Sequence, residues 1–305
     1  MKKISLAFDT SNYTTSCAFF DGAGGQNSSR LLDVRPGELG LRQSDALFLH
    51  TKRLPEVTAK LDLGAEIIAV GASSKPRETE DSYMPCFLAG VSHGRVLAHA
   101  LGVPFFAFSH QQGHIAAAAW SAGSPGLLDA PMLAWHLSGG TTELLYAEPS
   151  CSSVTCRIIG GSRDVSAGQL IDRTGQMLGL HFPAGRELDR LSLESASDQY
   201  YRPKLDGLFF SLSGVEHKVK ERAGLEKRDV AYFAMMSVVM TVASVTERAT
   251  ERYGPLPVLY SGGVASSRLM RNTMGGGFFS EPQYSADNAM GVAILTHRAV
   301  NNNNG

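Results

Sequence analysis

The feature that most constrains this fold is a unit that occurs twice. Residues 4–8 are an apolar run ending in a polar turn, Asp9-Thr10-Ser11-Asn12, and a second run, residues 15–20, comes directly after it. About 130 residues later, residues 132–137 lead into Ser138-Gly139-Gly140-Thr141-Thr142 and return as Glu143-Leu144-Leu145-Tyr146. Each unit is a strand, a polar turn and a strand, and each carries a threonine pair, Thr14-Thr15 and Thr141-Thr142. The segments after the two hairpins also match. The periodicity predicts a helix at 44–63, a strand at 67–71, a helix at 87–101, a strand at 103–108 and a histidine-bearing helix in the first half. In the second half it predicts helices at 167–180 and 230–253, a strand at 257–260, a helix from Val264 and a terminal helix from near Asp287. The chain therefore reads as a duplicated α/β protein with domains 1–128 and 129–305 and a nucleotide cleft between them. Its 305 residues suffice for two domains of about 150 each.

Residues 71–85 have no apolar periodicity and read as a surface loop, either a lid over the cleft or a solvated connector. The tail, 301–305, reads as a frayed end. The net charge of −1 does not advertise nucleic-acid binding, although it says nothing of a local basic patch. No apolar run approaches the roughly 20 residues of a membrane span. The opening stretch after Met1-Lys2-Lys3 is broken by Asp9, so it reads as a strand rather than a signal peptide. The four cysteines, Cys17, Cys86, Cys151 and Cys156, include no Cys-x-x-Cys pair. A zinc ribbon or disulfide framework is not expected, and a reducing cytoplasm is the default compartment.

The chemistry begins at Ser109-His110-Gln111-Gln112-Gly113-His114. Ser109 with Gln112 three residues later is the signature of a capping box, so the histidines open a helix. Four residues apart, His110 and His114 share one face. They are half of a metal site, or one caps and the other packs. A third ligand should be a carboxylate, and Asp287, at the start of the last helix, offers one from the second half; a first-turn acid favoured by the helix dipole is the plainer role for it. Two histidines and a carboxylate with open positions suit Fe, Zn or Mn. The residue after His110 is Gln111, which cannot act as a general base, so a zinc protease of the His-Glu-x-x-His kind is excluded.

Three glycine-bearing junctions point to a nucleotide. In the turn Ser138, Gly139, Gly140, Thr141, backbone amides can approach a phosphate and the hydroxyls add donors. Gly262-Gly263, ahead of Ser266-Ser267, sits at a strand-to-helix junction suited to a base, sugar or phosphate. Gly168 and Asp172 share a helical face, where a carboxylate can accept from both ribose hydroxyls or simply pair with Arg173 or Arg190. Pro183-Ala184-Gly185 makes a further turn.

In this order the motifs resemble those of the Gcp/TsaD family, the tRNA threonylcarbamoyladenosine transferases once labelled O-sialoglycoprotein endopeptidases. Asp9-Thr10-Ser11 resembles the family's Glu-Thr-Ser, Ser109 to His114 its Asn-His-x-x-Gly-His, and Ser138 to Thr142 its Ser-Gly-Gly-His-Thr. Ala167-Gly168-Gln169 through Asp172-Arg173, Leu178 through Gly185, Phe210-Ser211-Leu212-Ser213-Gly214, Gly262-Gly263-Val264-Ala265 and Asp287-Asn288 each match a family motif. The resemblance implies the actin/Hsp70/sugar-kinase fold. It implies a divalent metal on His110, His114 and Asp287 (Fe, Zn or Mn, with Mg also open), holding the phosphates of ATP or an adenylate. Ribose and adenine would lie on Ser138, Gly139, Gly140, Thr141, Gly168, Asp172, Gly185, Gly262, Gly263 and Ser267, and phosphate beside Thr10 and Ser11. The implied reaction moves threonylcarbamoyl to N6 of a tRNA adenosine, and a homodimer or a paralogous protein partner is the expected company. No catalytic residue is assigned.

Departures mark a divergent paralogue. Tyr13 replaces an acidic residue, Thr141 a histidine and Ser267 an asparagine. The family's Gly-Pro-Gly loop is missing after the strand at 67–71, where residues 73–85 stand instead. The expected activity is carbamoyl-type transfer from an adenylate, or ATP hydrolysis. The alternative is a non-catalytic partner subunit that keeps the fold for assembly.

Overall fold

The computed structural model describes residues 2–11, 13–33, 41–79 and 82–302. Asn12 of the first turn, Glu80 and Asp81 of the polar interruption, and residues 303–305 of the tail lie outside them. The chain divides into two compact units, one of Met1–Asp129, Glu148–Cys156 and Ala286–Gly305, the other of Ala130–Ala147 and Arg157–Ser285. Two segments that the sequence reading puts in the second half, 148–156 and 286–305, thus group with the first unit.

The first unit runs β1 (Lys3–Asp9), β2 (Thr14–Phe20), β3 (Gly25–Leu31), α1 (Gln43–Thr58), β4 (Glu66–Lys75), α2 (Phe87–Leu101), β5 (Phe105–Ser109) and α3 (His110–Ser121). Its sheet has the order β3-β2-β1-β4-β5. The tightly linked strands β1, β2 and β3 pair antiparallel, whereas β4 and β5, reached through helical crossovers, lie parallel to β1.

The second unit runs β6 (Met132–Leu137), β7 (Thr142–Ser150), β8 (Ser153–Ser162), α4 (Ala167–Met177), α5 (Gly185–Ser192), β9 (Phe209–Phe210), α6 (Ser213–Lys220), α7 (Lys227–Tyr253), β10 (Val258–Ser261), α8 (Arg268–Met274) and β11 (Phe278–Phe279). Its sheet order is β11-β10-β6-β7-β8-β9. Read outward from β6, this repeats the scheme around β1. An antiparallel partner lies on one side, and parallel strands β10 and β11 lie on the other. The duplication in the sequence is a duplication of topology.

The last helix, α9 (Met290–Asn302), belongs with the first unit for a steric reason. A Cβ on Gly291 would collide with the Gly113 carbonyl of α3, and one on Gly71 of β4 would collide with Thr296. Glycine at both positions lets α9 lie directly on α3 and on the sheet.

The structure corrects two expectations. The polar interruption does not begin at Gly71, because β4 continues to Lys75. Ser74 Oγ donates to the Phe108 carbonyl (3.1 Å) and Gln111 N–H donates to the Pro76 carbonyl (3.1 Å), so hydrogen bonds to β5 and α3 replace apolar periodicity. The other correction is α7, which is long and apolar enough to cross a membrane. It is the core helix of the second unit: 67% of its apolar window is buried. Its Ser237, Thr241 and Thr246 hydroxyls bond back into the preceding turn, and Thr246 also accepts from the indole of the fully buried Trp135 (2.9 Å). Burial of side chains such as Trp135, Phe233 and Val242 contributes roughly 1.5–3 kcal/mol each.

Candidate metal and nucleotide sites

The capping box at Ser109 forms in full. Ser109 Oγ accepts from Gln112 N–H, and Gln112 Oε1 accepts from Ser109 N–H. That cap starts α3 at His110 and fixes where its two imidazoles project. His110 Nε2 and His114 Nε2 lie 2.8 Å apart, and Asp287 Oδ1 sits 3.4 and 3.3 Å from them. Among the described residues, His110, His114 and Asp287 form the group whose ligand atoms converge, all within 4.8 Å of one another. All three residues lie in the first unit, because α9 and the turn before it pack there.

Behind His110 stands a residue that the sequence reading did not assign to the site. His110 Nδ1 donates to Asp9 Oδ2 at 2.8 Å, and Asp9 is 1% exposed. The other carboxylate oxygen accepts from Ser11 N–H (2.9 Å). A carboxylate can only accept here, so the bond fixes the proton on Nδ1 and leaves Nε2 for the shared centre. Burial alone would discharge this imidazole, but the charges and hydrogen bonds of Asp9 and Asp287 overcome it and raise His110 to about 10. Burial likewise opposes ionisation of Asp9 and Asp287, and the imidazoles hold both carboxyls below their usual range. A site that gathers two imidazoles between two carboxylates requires a cation, either a proton on His110 or a metal ion in its place. Two nitrogen donors, one oxygen donor and a buried carboxylate oriented behind one of them fit a divalent metal.

The first hairpin contributes unevenly. The Thr10 hydroxyl is committed within the fold, donating to the Cys86 carbonyl (3.0 Å) and accepting from Gly90 N–H (3.2 Å). The Ser11 hydroxyl, fully buried, has no hydrogen-bond partner among the described residues. Tyr13 is 41% exposed.

The second unit holds a cavity of about 750 Å³ lined by Gly139, Gly168, Asp172, Gly185, Gly263 and Ser267, all named from the sequence. Ile171, Met235, Val264 and Phe182 supply apolar walls. Its size and mixture suit a nucleoside. Gly168 is there for proximity: a Cβ would stand 2.6 Å from the Ser138 carbonyl and from Gly139 Cα. The start of α4 therefore rests on the Gly-Gly turn, strapped by Gly168 N–H to Ser138 O (3.1 Å), Ser166 Oγ to Gly139 O (2.7 Å) and Ala167 N–H to Thr142 Oγ1 (2.7 Å). Gly139 itself has nothing near its side-chain position. Asp172 uses one oxygen to accept from Ala184 N–H (2.9 Å), which anchors the turn before Gly185.

Four of the named residues do not line the cavity. Ser138 Oγ accepts from Gly140 N–H (3.3 Å) and Thr141 N–H (3.1 Å), so Ser138, Gly140 and Thr141 build the turn. Gly262, at φ +91°, bends the chain after β10 where any side chain would strike Leu137. Ser267 faces the cavity, yet its hydroxyl donates to Asp189 (2.5 Å) and accepts from Met270 N–H (3.1 Å). Asp189 also accepts from the amides of Arg268 and Leu269, so a buried acid on α5 caps α8. In the sequence Asp189 looks like any polar residue of an amphipathic helix; its spacing of four from Gly185 was the available signal.

Comparison with known proteins gives one family. Residues 83–294 match the sequence profile of TsaD, tRNA N6-adenosine threonylcarbamoyltransferase. The protein so named in Enterococcus faecalis is 35% identical over 199 residues, which is 61% of this chain and 55% of that one. The chain thus spans little more than half the length of that curated relative. Among solved structures, full-length HypF in its phosphate- and nucleotide-bound form superposes with a TM-score of 0.62 at 14% identity, over 98% of this chain and 46% of that one. The ROK hexokinase of Thermus thermophilus gives a TM-score of 0.51 at 12% identity, over 98% of this chain and 99% of that one. These two likenesses speak to the fold, the duplicated sugar-kinase type.

Proposed function

As a member of the TsaD family of tRNA N6-adenosine threonylcarbamoyltransferases, the chain is, we propose, a metal-dependent protein that binds an adenine nucleotide and transfers a carbamoyl-type group from an adenylate, or hydrolyses ATP. The observation that carries this reading is the convergence of His110, His114 and Asp287 with Asp9 behind His110. The metal would be Fe, Zn, Mn or Mg, and when bound it would supply Lewis-acid polarisation of a phosphoryl or carbonyl oxygen.

The residues divide the remaining work. Asp9 holds the His110 ring in one tautomer and orientation. The second unit's cavity takes ribose at the free oxygen of Asp172, and the base between Ile171, Met235 and Val264. The Gly-Gly turn, with nothing within 4 Å of the Gly139 side-chain position, leaves room there for a phosphate. Positioning of this kind supplies much of the rate in group transfer. The acceptor is a tRNA adenosine by the name of the relatives, and a soluble cytoplasmic setting goes with it. The departures from the family fall on both sides: Tyr13 and the segment 73–85 in the first unit, Thr141 and Ser267 in the second.

The test is calorimetric titration of ATP into the protein with and without Mn²⁺ or Zn²⁺. A metal-dependent gain in ATP affinity that disappears in the His110→Ala, His114→Ala variant is the expected result. Equal ATP affinity with and without metal in the unaltered protein would sink the reading.

A further inference from the structure

The second unit's cavity continues into a neighbouring compartment of about 530 Å³, and Phe182, Pro183, Arg186, Asp189 and Arg268 line both. His181, Arg190 and Leu193 face the second compartment alone. A nucleoside accounts for the first compartment and not for the second.

The second compartment is set apart first by its charge. Three arginines line it against two carboxylates, in a protein whose net charge is −1. Arg190 is paired with Glu194. Asp189 already accepts from the Ser267 hydroxyl and from the amides of Arg268 and Leu269, so its oxygens are taken up in capping α8. The guanidiniums of Arg186 and Arg268 have no hydrogen-bond or ion-pair partner among the described residues. Glu187 is the one lining carboxylate left to oppose them.

The other distinction is an aromatic ring held out to solvent. Phe182 is 83% exposed, and Leu193 beside it is 42% exposed. A phenyl ring is ordinarily buried. This one stands on an anchored turn, because Ala184 N–H is bonded to Asp172 (2.9 Å) and Gly175 of α4 admits the Ala184 methyl, which a Cβ there would strike. The turn holds the ring where the two compartments meet. A ring and unpaired guanidiniums are the elements that bind one nucleotide of an unpaired strand. The ring stacks on the face of any base, and the guanidinium forks take phosphate oxygens. A small acid would satisfy the arginines and leave Phe182 in water, whereas a strand lying across the opening covers both.

We infer that Phe182, Arg186 and Arg268 form a docking point for single-stranded RNA beside the nucleoside cavity, with one base stacked on the ring and its phosphates on the two guanidiniums. The inference rests on the RNA acceptor proposed above and adds where the strand is held.

The experiment uses the full chain and a fluorescein-labelled single-stranded RNA containing adenosine. Anisotropy reads RNA binding at several salt concentrations, and calorimetry reads adenosine affinity on the same samples. Phe182→Ala should weaken RNA binding about five- to a hundredfold, the worth of one stacked base, and Phe182→Trp should restore it. The Arg186→Ala, Arg268→Ala variant should flatten the dependence of log K on log salt by about 1.4, since each phosphate contact to a single strand contributes about 0.7. Arg190→Glu, which alters the second compartment alone, should weaken RNA binding and leave adenosine affinity unchanged. RNA affinity unchanged in all these variants overturns the docking point and leaves RNA binding itself standing. A failure of the unaltered protein to bind RNA is a different result, which sinks the RNA acceptor and the docking point together. Equal losses of RNA and adenosine affinity in the double arginine variant would assign those side chains to the nucleoside cavity and overturn the inference. Duplex RNA bound as tightly as the single strand would overturn it too, because a duplex has no free base face to stack.

Discussion

The turns after β1 and after β6 occupy the same topological place, yet they are built differently. The first, Asp9-Thr10-Ser11, puts a buried carboxylate at the strand end, commits the Thr10 hydroxyl to the α2 region, and reaches a histidine just after β5. The second, Ser138-Gly139-Gly140-Thr141, has no charge. It closes on itself through the Ser138 hydroxyl and lies against the start of α4, with nothing within 4 Å of the Gly139 side-chain position. One copy became an electrostatic site that needs a cation. The other became a backbone-lined site that needs close approach. Duplication preserved the sheet order and let the two turns specialise.

The strongest way to break this comparison is to remove a ligand from the electrostatic copy. His114→Ala should lower divalent-metal affinity at least about 10³-fold, or some 4 kcal/mol at 1.4 kcal/mol per factor of ten. Calorimetry with Zn²⁺ and Mn²⁺ reads it, and a loss of under tenfold would mean the triad is not the metal site. The corresponding insult to the backbone-lined copy is steric. Gly168→Val must push α4 off the Gly-Gly turn, since even a Cβ meets Ser138 O and Gly139 Cα at 2.6 Å. Overpacking of this kind costs about 1–3 kcal/mol. The variant should lose nucleotide binding while its metal affinity stays put. Metal loss in that variant would show that the specialisation is not separable.

These two residues also show what the sequence makes legible. The hairpins, the capping box at Ser109 and the four-residue spacing of the histidines are local patterns, and local patterns carry the fold and half the candidate metal site. Asp9 was not legible as a site residue because 101 positions separate it from His110. Only the order β1-β4-β5 brings the ends of those strands together. The extension of β4 through Ser73 was hidden for a related reason. Its pairing is supported by side-chain and backbone hydrogen bonds to β5 and α3, which leave no apolar period. The docking of α9 on the first unit depends on Gly71 and Gly291, and a glycine in a sequence does not say which neighbour it admits. At Ser267 the residue type is legible and its use is not, since its hydroxyl is claimed by Asp189 from a different helix.

Asp9→Asn sharpens the comparison by removing charge without shape. An amide can still accept from His110 Nδ1 through its oxygen, but it no longer offsets a divalent cation. Loss of an outer-shell partner of this type typically costs ten- to a hundredfold in metal affinity, so about 1.4–2.8 kcal/mol is expected. The second unit's cavity does not contain Asp9, and its metal-free affinity for adenosine should be unmoved. Equal metal affinity in the variant and the unaltered protein would show that Asp9 is only a structural carboxylate.

The smallest expected effect tests whether the second site is built as a scaffold at its rim. Ser267 lines the cavity, but its oxygen lies between the Asp189 carboxylate and the Met270 amide, so it serves as the N-cap of α8. Ser267→Ala removes that cap while Asp189 keeps its bonds to the Arg268 and Leu269 amides. A destabilisation of about 1 kcal/mol is expected from the lost cap alone, read by urea denaturation at unchanged slope. Adenosine affinity should change less than threefold, since the hydroxyl's proton is committed to Asp189 and cannot be donated to a base. A tenfold loss of affinity with unaltered stability would reverse the assignment, making Ser267 a ligand contact and Asp189 its support.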